Sequence, residues 1–261
     1  MNGPSDGMPT LSLGSGPPLL FLPGLTADHQ PPRGAARRFQ LRQMRPLAAS
    51  RQVWWVNRRQ GLAPGTTMAD LADDYATVLQ EWQEAPIDVV GVSTGGSVAL
   101  QLAADHPQLV RRLVLVASAC RLGPEGLAGQ HRVIEALERG DRHRAASVLM
   151  ELGGAGRFTT GAFGALGWLL PGLVIARDHA DLLTTMRAEE SFDLTDRLAS
   201  IESQTLVVGG DRDVLYGEAV FRETATGLAR GHLVLYPGRS HVATVSAKRL
   251  GRDVSAFLSR A

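Results

Sequence analysis

From Ile87 to Asp105 a short, largely apolar run passes with no spacer into a segment of small helix-forming residues. The joint is Gly91-Val92-Ser93-Thr94-Gly95-Gly96. Ile87–Val92 has the length and β-branched content of a strand buried on both faces, and such strands belong to parallel sheets with helices on either side. A residue at so abrupt a strand-to-helix turn takes a strained backbone angle, and neighbouring side chains would collide with it. Glycines two positions to either side remove that collision. The turn lifts Ser93 above the sheet edge, over the N-terminus of the following helix, where backbone N–H groups favour negative charge.

The rest of the chain repeats this alternation. Leu19–Leu22 ends in Pro23-Gly24, and Val53–Val56, Leu113–Ala117, Thr205–Val208 and Leu233–Tyr236 are further compact apolar runs. Between them the spacing predicts helices over Ala35–Ser50, after Thr66 or Thr67 (Met68, Leu71, Tyr75, Val78, Leu79, Trp82), and over Ala247–Leu258. Thr10–Leu13 reads as a short edge strand. The expected class is α/β: a mostly parallel, doubly wound sheet covered on both faces. The interval from Arg121 to Glu190 breaks the rhythm, being helical and Gly-rich with no convincing strand. It reads as a helical cap, 121–190, inserted in a core made of 1–120 and 191–261.

Charge narrows the partners. With 27 basic against 26 acidic residues, nothing points to nucleic acid or an anionic membrane. Cys120 is the only cysteine, so no intrachain disulfide forms. Met1–Pro9 lacks the basic and apolar regions of a signal peptide, which makes cytoplasmic the expectation. Phe158–Ala176 carries no charge, yet four glycines, Pro171 and two threonines interrupt it, so no integral membrane span is expected.

Serine is a weak nucleophile without a base. His241 follows the last strand and the turn Pro237-Gly238-Arg239-Ser240, at the same sheet edge as Ser93. His106 precedes Pro107 at a helix end; His131, His143 and His179 lack ligand spacing; His29 and His232 have no evident partner. No histidine pair reads as a metal site. Gly209-Gly210-Asp211-Arg212-Asp213 follows another strand at that edge and supplies the acid. Asp213 lies further into the loop and reaches better toward His241, whereas Asp211 can cap the turn.

Serine, then acid, then histidine, each after a strand, resembles the α/β-hydrolase superfamily. The likeness runs from about Leu19 to the C-terminus and includes Asp105-His106-Pro107 and Phe192-Asp193-Leu194. It implies a Ser93–His241–Asp213 triad, with the backbone N–H groups of Thr94 and Leu25 as oxyanion donors. Many members have His-Gly where this chain has Pro23-Gly24. No metal or organic cofactor is implied. Dehalogenase and epoxide-hydrolase relatives carry aspartate where Ser93 stands. The expected activity is hydrolysis of a hydrophobic carboxylic ester or lactone through an acyl-enzyme. Thioesterases, acyl transferases, C–C hydrolases and cofactor-free perhydrolases use the same triad, and a ligand-binding receptor on this scaffold is a reading of a different class. Phe158, Phe163 and Trp168, with Leu169, Leu170, Leu173 and Val174, make the cap strongly apolar. The three aromatics are the expected pocket lining, favouring an ester, lactone or thioester over a sugar or phosphate.

Overall fold

The computed structural model describes residues 7–82, 85–154 and 157–259. The side chain of Phe158, and with it the expectation placed there, lies outside the described residues. Seven strands form one sheet: β1 (Thr10–Leu13), β2 (Pro18–Leu22), β3 (Gln52–Val56), β4 (Ile87–Val92), β5 (Val110–Val116), β6 (Gln204–Gly210) and β7 (Gly231–Tyr236). Their spatial order is β1-β3-β2-β4-β5-β6-β7. Every neighbouring pair is parallel except β1 with β3, so Thr10–Leu13 is the edge strand its sequence suggested.

Side chains alternate across this sheet, and each face has its own core. Leu20, Leu22, Val89, Leu113, Leu115 and Val207 face α2 (Met68–Trp82), α3 (Thr94–Asp105) and α8 (Gly217–Gly227). Leu19, Phe21, Trp55, Val90, Val114 and Val116 face the side that carries α1 (Gly34–Met44) and α10 (Leu250–Leu258). The exception in β4 is Asp88, which is fully buried. It accepts hydrogen bonds from Arg51 Nη1 (2.5 Å) and from Arg111 Nε (2.9 Å) and Nη2 (2.7 Å).

Helix ends follow local chemistry. Thr67 and Asp70 form a reciprocal cap on α2: Asp70 N donates to Thr67 Oγ1 (3.2 Å) and Thr67 N to Asp70 Oδ2 (2.7 Å). The closing helix expected over 247–258 begins only at Leu250, and a separate short helix precedes it. A short α9 (His241–Val245), capped by Ser240, turns into α10 at Leu250. Likewise α1 stops at Met44 rather than Ser50.

Between β5 and β6 lie α4 (Pro124–Glu138), α5 (Arg142–Glu151), α6 (Arg157–Leu169) and α7 (Ala180–Glu190). Val133, Ile134, Leu137, Val148, Leu182 and Met186 give them a core of their own. The excursion leaves and re-enters at one point, where Arg121 and Asp193 form an antiparallel bridge. The uncharged stretch is broken as its glycines and proline suggested: α6 ends at Leu169 and a tight turn follows at Pro171–Leu173. No helix among the described residues is long and apolar enough to cross a membrane.

Candidate active site

Parallel register brings three loops to one edge. Val92 pairs with Val116, Val116 with Val208, and Gly210 with Tyr236, so β4, β5, β6 and β7 end side by side. Ser93 sits on the sharp turn with φ 51° and ψ −127°. A non-glycine residue in that region is strained and must be held by its surroundings. Here Ser93 N donates to Val116 O (2.9 Å), while Gly96 N (2.6 Å) and Ser97 N (3.2 Å) donate to Ser93 O. A Cβ on Gly91 would lie 2.5 Å from Gly95 O, and one on Gly95 would run into the carbonyl oxygens of Pro23 and Leu22. The loop after β2 passes against the serine: a Cβ on Gly24 would stand 3.2 Å from Ser93 Cβ.

His241 reaches the serine from α9. Its Nε2 is 3.0 Å from Ser93 Oγ and its Nδ1 is 2.8 Å from Asp213 Oδ2. The ring lies along Tyr216, with centroids 6.0 Å apart and planes at 18°. A proton on Nδ1, donated to the carboxylate, leaves the Nε2 lone pair facing Ser93. Burial pulls the His241 pKa down, but the charge and hydrogen bond of Asp213 more than offset it, and the net shift is upward. Asp213 is buried, and its Oδ1 accepts from Leu215 N (2.9 Å) and Tyr216 N (3.3 Å). The competing acid is engaged elsewhere. Exposed Asp211 accepts from Gly238 N (2.6 Å), bracing the turn that delivers His241.

A cavity of about 230 Å³ opens over this row. Gly24, Leu25, Ser93, Thr94 and His241 line it together with polar Gln40, Gln130 and Glu189, and Leu149, Leu152, Val174, Leu215 and Val242 are among its apolar members. Phe163 and Trp168 do not line it. Helix α6 lies outside α5, with Gly167 against the Ala146 carbonyl, so Trp168 is 56% exposed and packs beside His143. The apolar lining therefore comes from Phe39 of α1, Leu149 of α5, Val242 and Val245 of α9 and loop residues such as Val174 and Leu215, not from the aromatics of α6. Among the described residues no group of three or more His, Cys, Asp or Glu is placed to hold a metal ion.

The family profile described as alpha/beta hydrolase fold matches residues 17–150. The chain belongs to the α/β-hydrolase family. A curated relative, the pimeloyl-[acyl-carrier protein] methyl ester esterase of Neisseria meningitidis serogroup B (strain MC58), is 36% identical over 141 residues, 51% of this chain and 53% of the relative. The chain thus spans about half the length of the methyl ester esterases it matches. The pyrrolizixenacetamide deacetylase of Xenorhabdus hominickii is 23% identical over 209 residues, 77% of this chain and 75% of that one. Among solved structures, the enol-lactonase from Burkholderia xenovorans LB400 superposes with a TM-score of 0.79 at 19% identity, covering 96% of each chain.

This α/β-hydrolase chain also buries charges beneath the site that no local sequence pattern would place there. Glu189, near the end of α7, is 3% exposed. Its Oε2 accepts from Thr94 Oγ1 (2.9 Å), and its Oε1 from Ser97 Oγ (3.1 Å) and Tyr216 OH (3.2 Å). Burial raises its pKa against the pull of those donors and of the Arg58 charge. Arg58, just past β3, is 1% exposed. Its Nε donates to His29 Nε2 (3.3 Å) and its Nη2 to Gly24 O (3.3 Å). His29, which had no evident partner in the sequence, also places Nδ1 2.8 Å from Arg59 O. Burial, aided by the Arg58 charge, lowers its pKa to about 4.

Proposed function

We propose that this chain is a serine hydrolase that cleaves a hydrophobic carboxylic ester or lactone through an acyl-enzyme intermediate. The observation that carries the reading is the continuous row Ser93 Oγ, His241 Nε2, His241 Nδ1, Asp213 Oδ2, with steps of 3.0 and 2.8 Å, whose Ser93 and His241 line a largely apolar cavity. In this reading His241 takes the Ser93 proton as Oγ attacks the carbonyl carbon. It returns the proton to the leaving alkoxide, and then activates a water to release the acid. Asp213 holds the tautomer and stabilises the imidazolium. The N–H of Thr94, at the start of α3, and that of Leu25 receive the oxyanion; Gly24 and Thr94 flank Ser93 in the cavity wall.

Helices α4 to α7 act as the cap, closing the cavity over Ser93 with Leu149 and Leu152 and leaving an apolar acyl site. Among the described residues no lysine or arginine lines the cavity, which favours a neutral apolar substrate over a phosphate or polyanion. The names of the relatives, a methyl ester esterase and a deacetylase, describe acyl cleavage of this general kind.

The test is turnover of a panel of apolar p-nitrophenyl esters and lactones by wild type and Ser93→Ala. Hydrolysis by wild type, reduced on the order of 10⁶-fold in kcat by the substitution, supports the reading. Equal rates in both proteins would sink it.

A further inference from the structure

The Gly24 carbonyl and the Leu25 N–H belong to one peptide unit, and a peptide unit is a rigid plate. Whatever grips the oxygen at one end therefore aims the N–H at the other. Arg58 Nη2 grips that oxygen at 3.3 Å, and the guanidinium has little freedom to wander. It is fully buried, and its Nε is anchored on His29 Nε2 at 3.3 Å. His29 is anchored in turn on the Arg59 carbonyl, and Gln60 Nε2 donates to the His29 carbonyl at 3.2 Å. Asn57 Nδ2, one residue before Arg58, donates to Thr26 Oγ1 (3.1 Å) on the same loop. Residues just past β3 thus take hold of the 24–29 loop along its length.

We propose that Arg58 is a positioning residue for the oxyanion site, fixing and polarising the Gly24–Leu25 peptide so that the Leu25 N–H meets the developing oxyanion. This rests on the hydrolase reading. Two consequences of the geometry support it. A charge-assisted bond to the carbonyl draws electron density toward oxygen and makes the N–H at the other end a better donor. Burying a guanidinium is costly, and Nη1 finds no acceptor among the described residues, so packing alone does not account for an arginine here. Glu189 completes the arrangement from the cap side. It holds Thr94, which carries the other donor, and faces Arg58 closely enough for each to favour the other's charged form.

The experiment compares Arg58→Lys, Arg58→Met, and the pair Arg58→Met/Glu189→Gln, which leaves no buried carboxylate uncompensated; Glu189→Gln alone is the reference for the pair. Each is assayed on a p-nitrophenyl ester and on its thionoester, with melting temperature and near-ultraviolet circular dichroism to establish folding. Sulfur accepts hydrogen bonds weakly, so a misaimed oxyanion donor penalises the oxygen ester more. The expected result for Arg58→Met, and for the pair against its reference, is a fall in kcat of about 10- to 100-fold, part of the roughly 10²–10³ that a whole donor contributes. KM stays within about threefold, and the oxygen-to-sulfur rate ratio drops in step with kcat. Arg58→Lys, which keeps the cation but not the fork, is expected to fall between. Folded variants with kcat within twofold of their references, or with equal losses on both esters, would overturn the inference. Wild type inactive on both esters would overturn the hydrolase reading itself, a result distinct from any difference among the Arg58 variants.

Discussion

Exchanging Asp213 for asparagine changes one atom and separates the two acids on the β6 loop. In the fold Asp213 Oδ1 accepts from the N–H groups of Leu215 and Tyr216, while Oδ2 faces His241 Nδ1 at 2.8 Å. An asparagine keeps its carbonyl oxygen where the two backbone donors are, because the reverse orientation would set a donor against both and cost on the order of 1–3 kcal/mol. Its NH2 group then faces Nδ1, and the imidazole must accept there. The proton moves to Nε2, which can no longer take one from Ser93 Oγ. The expected loss in kcat is on the order of 10⁴, or about 5.5 kcal/mol, with substrate affinity little changed. Asp211→Asn keeps an oxygen for Gly238 N and touches neither Ser93 nor His241, so activity should stay within a few-fold. Steady-state hydrolysis of one p-nitrophenyl ester by both variants is the assay. A larger loss in Asp211→Asn, or a loss under tenfold in Asp213→Asn, would refute this assignment of roles.

The remaining predictions concern pH. His241 must be neutral to act as a base, and the Asp213 charge lifts its pKa above the ordinary 6.5 in spite of burial. The acid limb of kcat/KM should therefore lie above pH 6.5 in wild type; a limb at or below that value would contradict it. His29 is held to about 4 against 6.5 in the unfolded chain, so between those values the unfolded state binds the proton and the folded state does not. Stability from this group is present above pH 6.5 and is lost as pH falls toward 4, by up to about 3 kcal/mol. Urea titrations at pH 7 and pH 4 should show a smaller drop for His29→Gln than for wild type, and an equal drop would refute the linkage.

Much of this fold is legible in the sequence because buried parallel strands write themselves as continuous apolar runs, and the glycines around Ser93 have a steric reason to be there. The same runs are enough to put Ser93, Asp213 and His241 at one sheet edge. What was not legible depends on distant contacts. The helix α9 that carries His241 is only five residues long, too short for apolar spacing to reveal, and α10 begins at Leu250 rather than Ala247. Phe163 and Trp168 read as pocket lining because an apolar helix in the excursion carries no mark of which layer it occupies; α6 lies outside α5. Arg58 and Glu189 are indistinguishable from surface charges by local pattern, since an arginine is buried only when partners such as His29 and the Gly24 carbonyl arrive from elsewhere in the chain. In the sequence Asp211 and Asp213 differ only by their place in the loop, which favours Asp213 toward His241; in the fold their partners, Gly238 N and His241 Nδ1, set them apart.

Whether Ser93 is an activated nucleophile is tested most directly by covalent labelling. Wild type and Ser93→Ala are incubated with a fluorophosphonate probe, and the adduct is located by peptide mass spectrometry. A stoichiometric adduct on Ser93 in wild type and none in the variant is the predicted result. Labelling elsewhere, or equal labelling of both proteins, would contradict it.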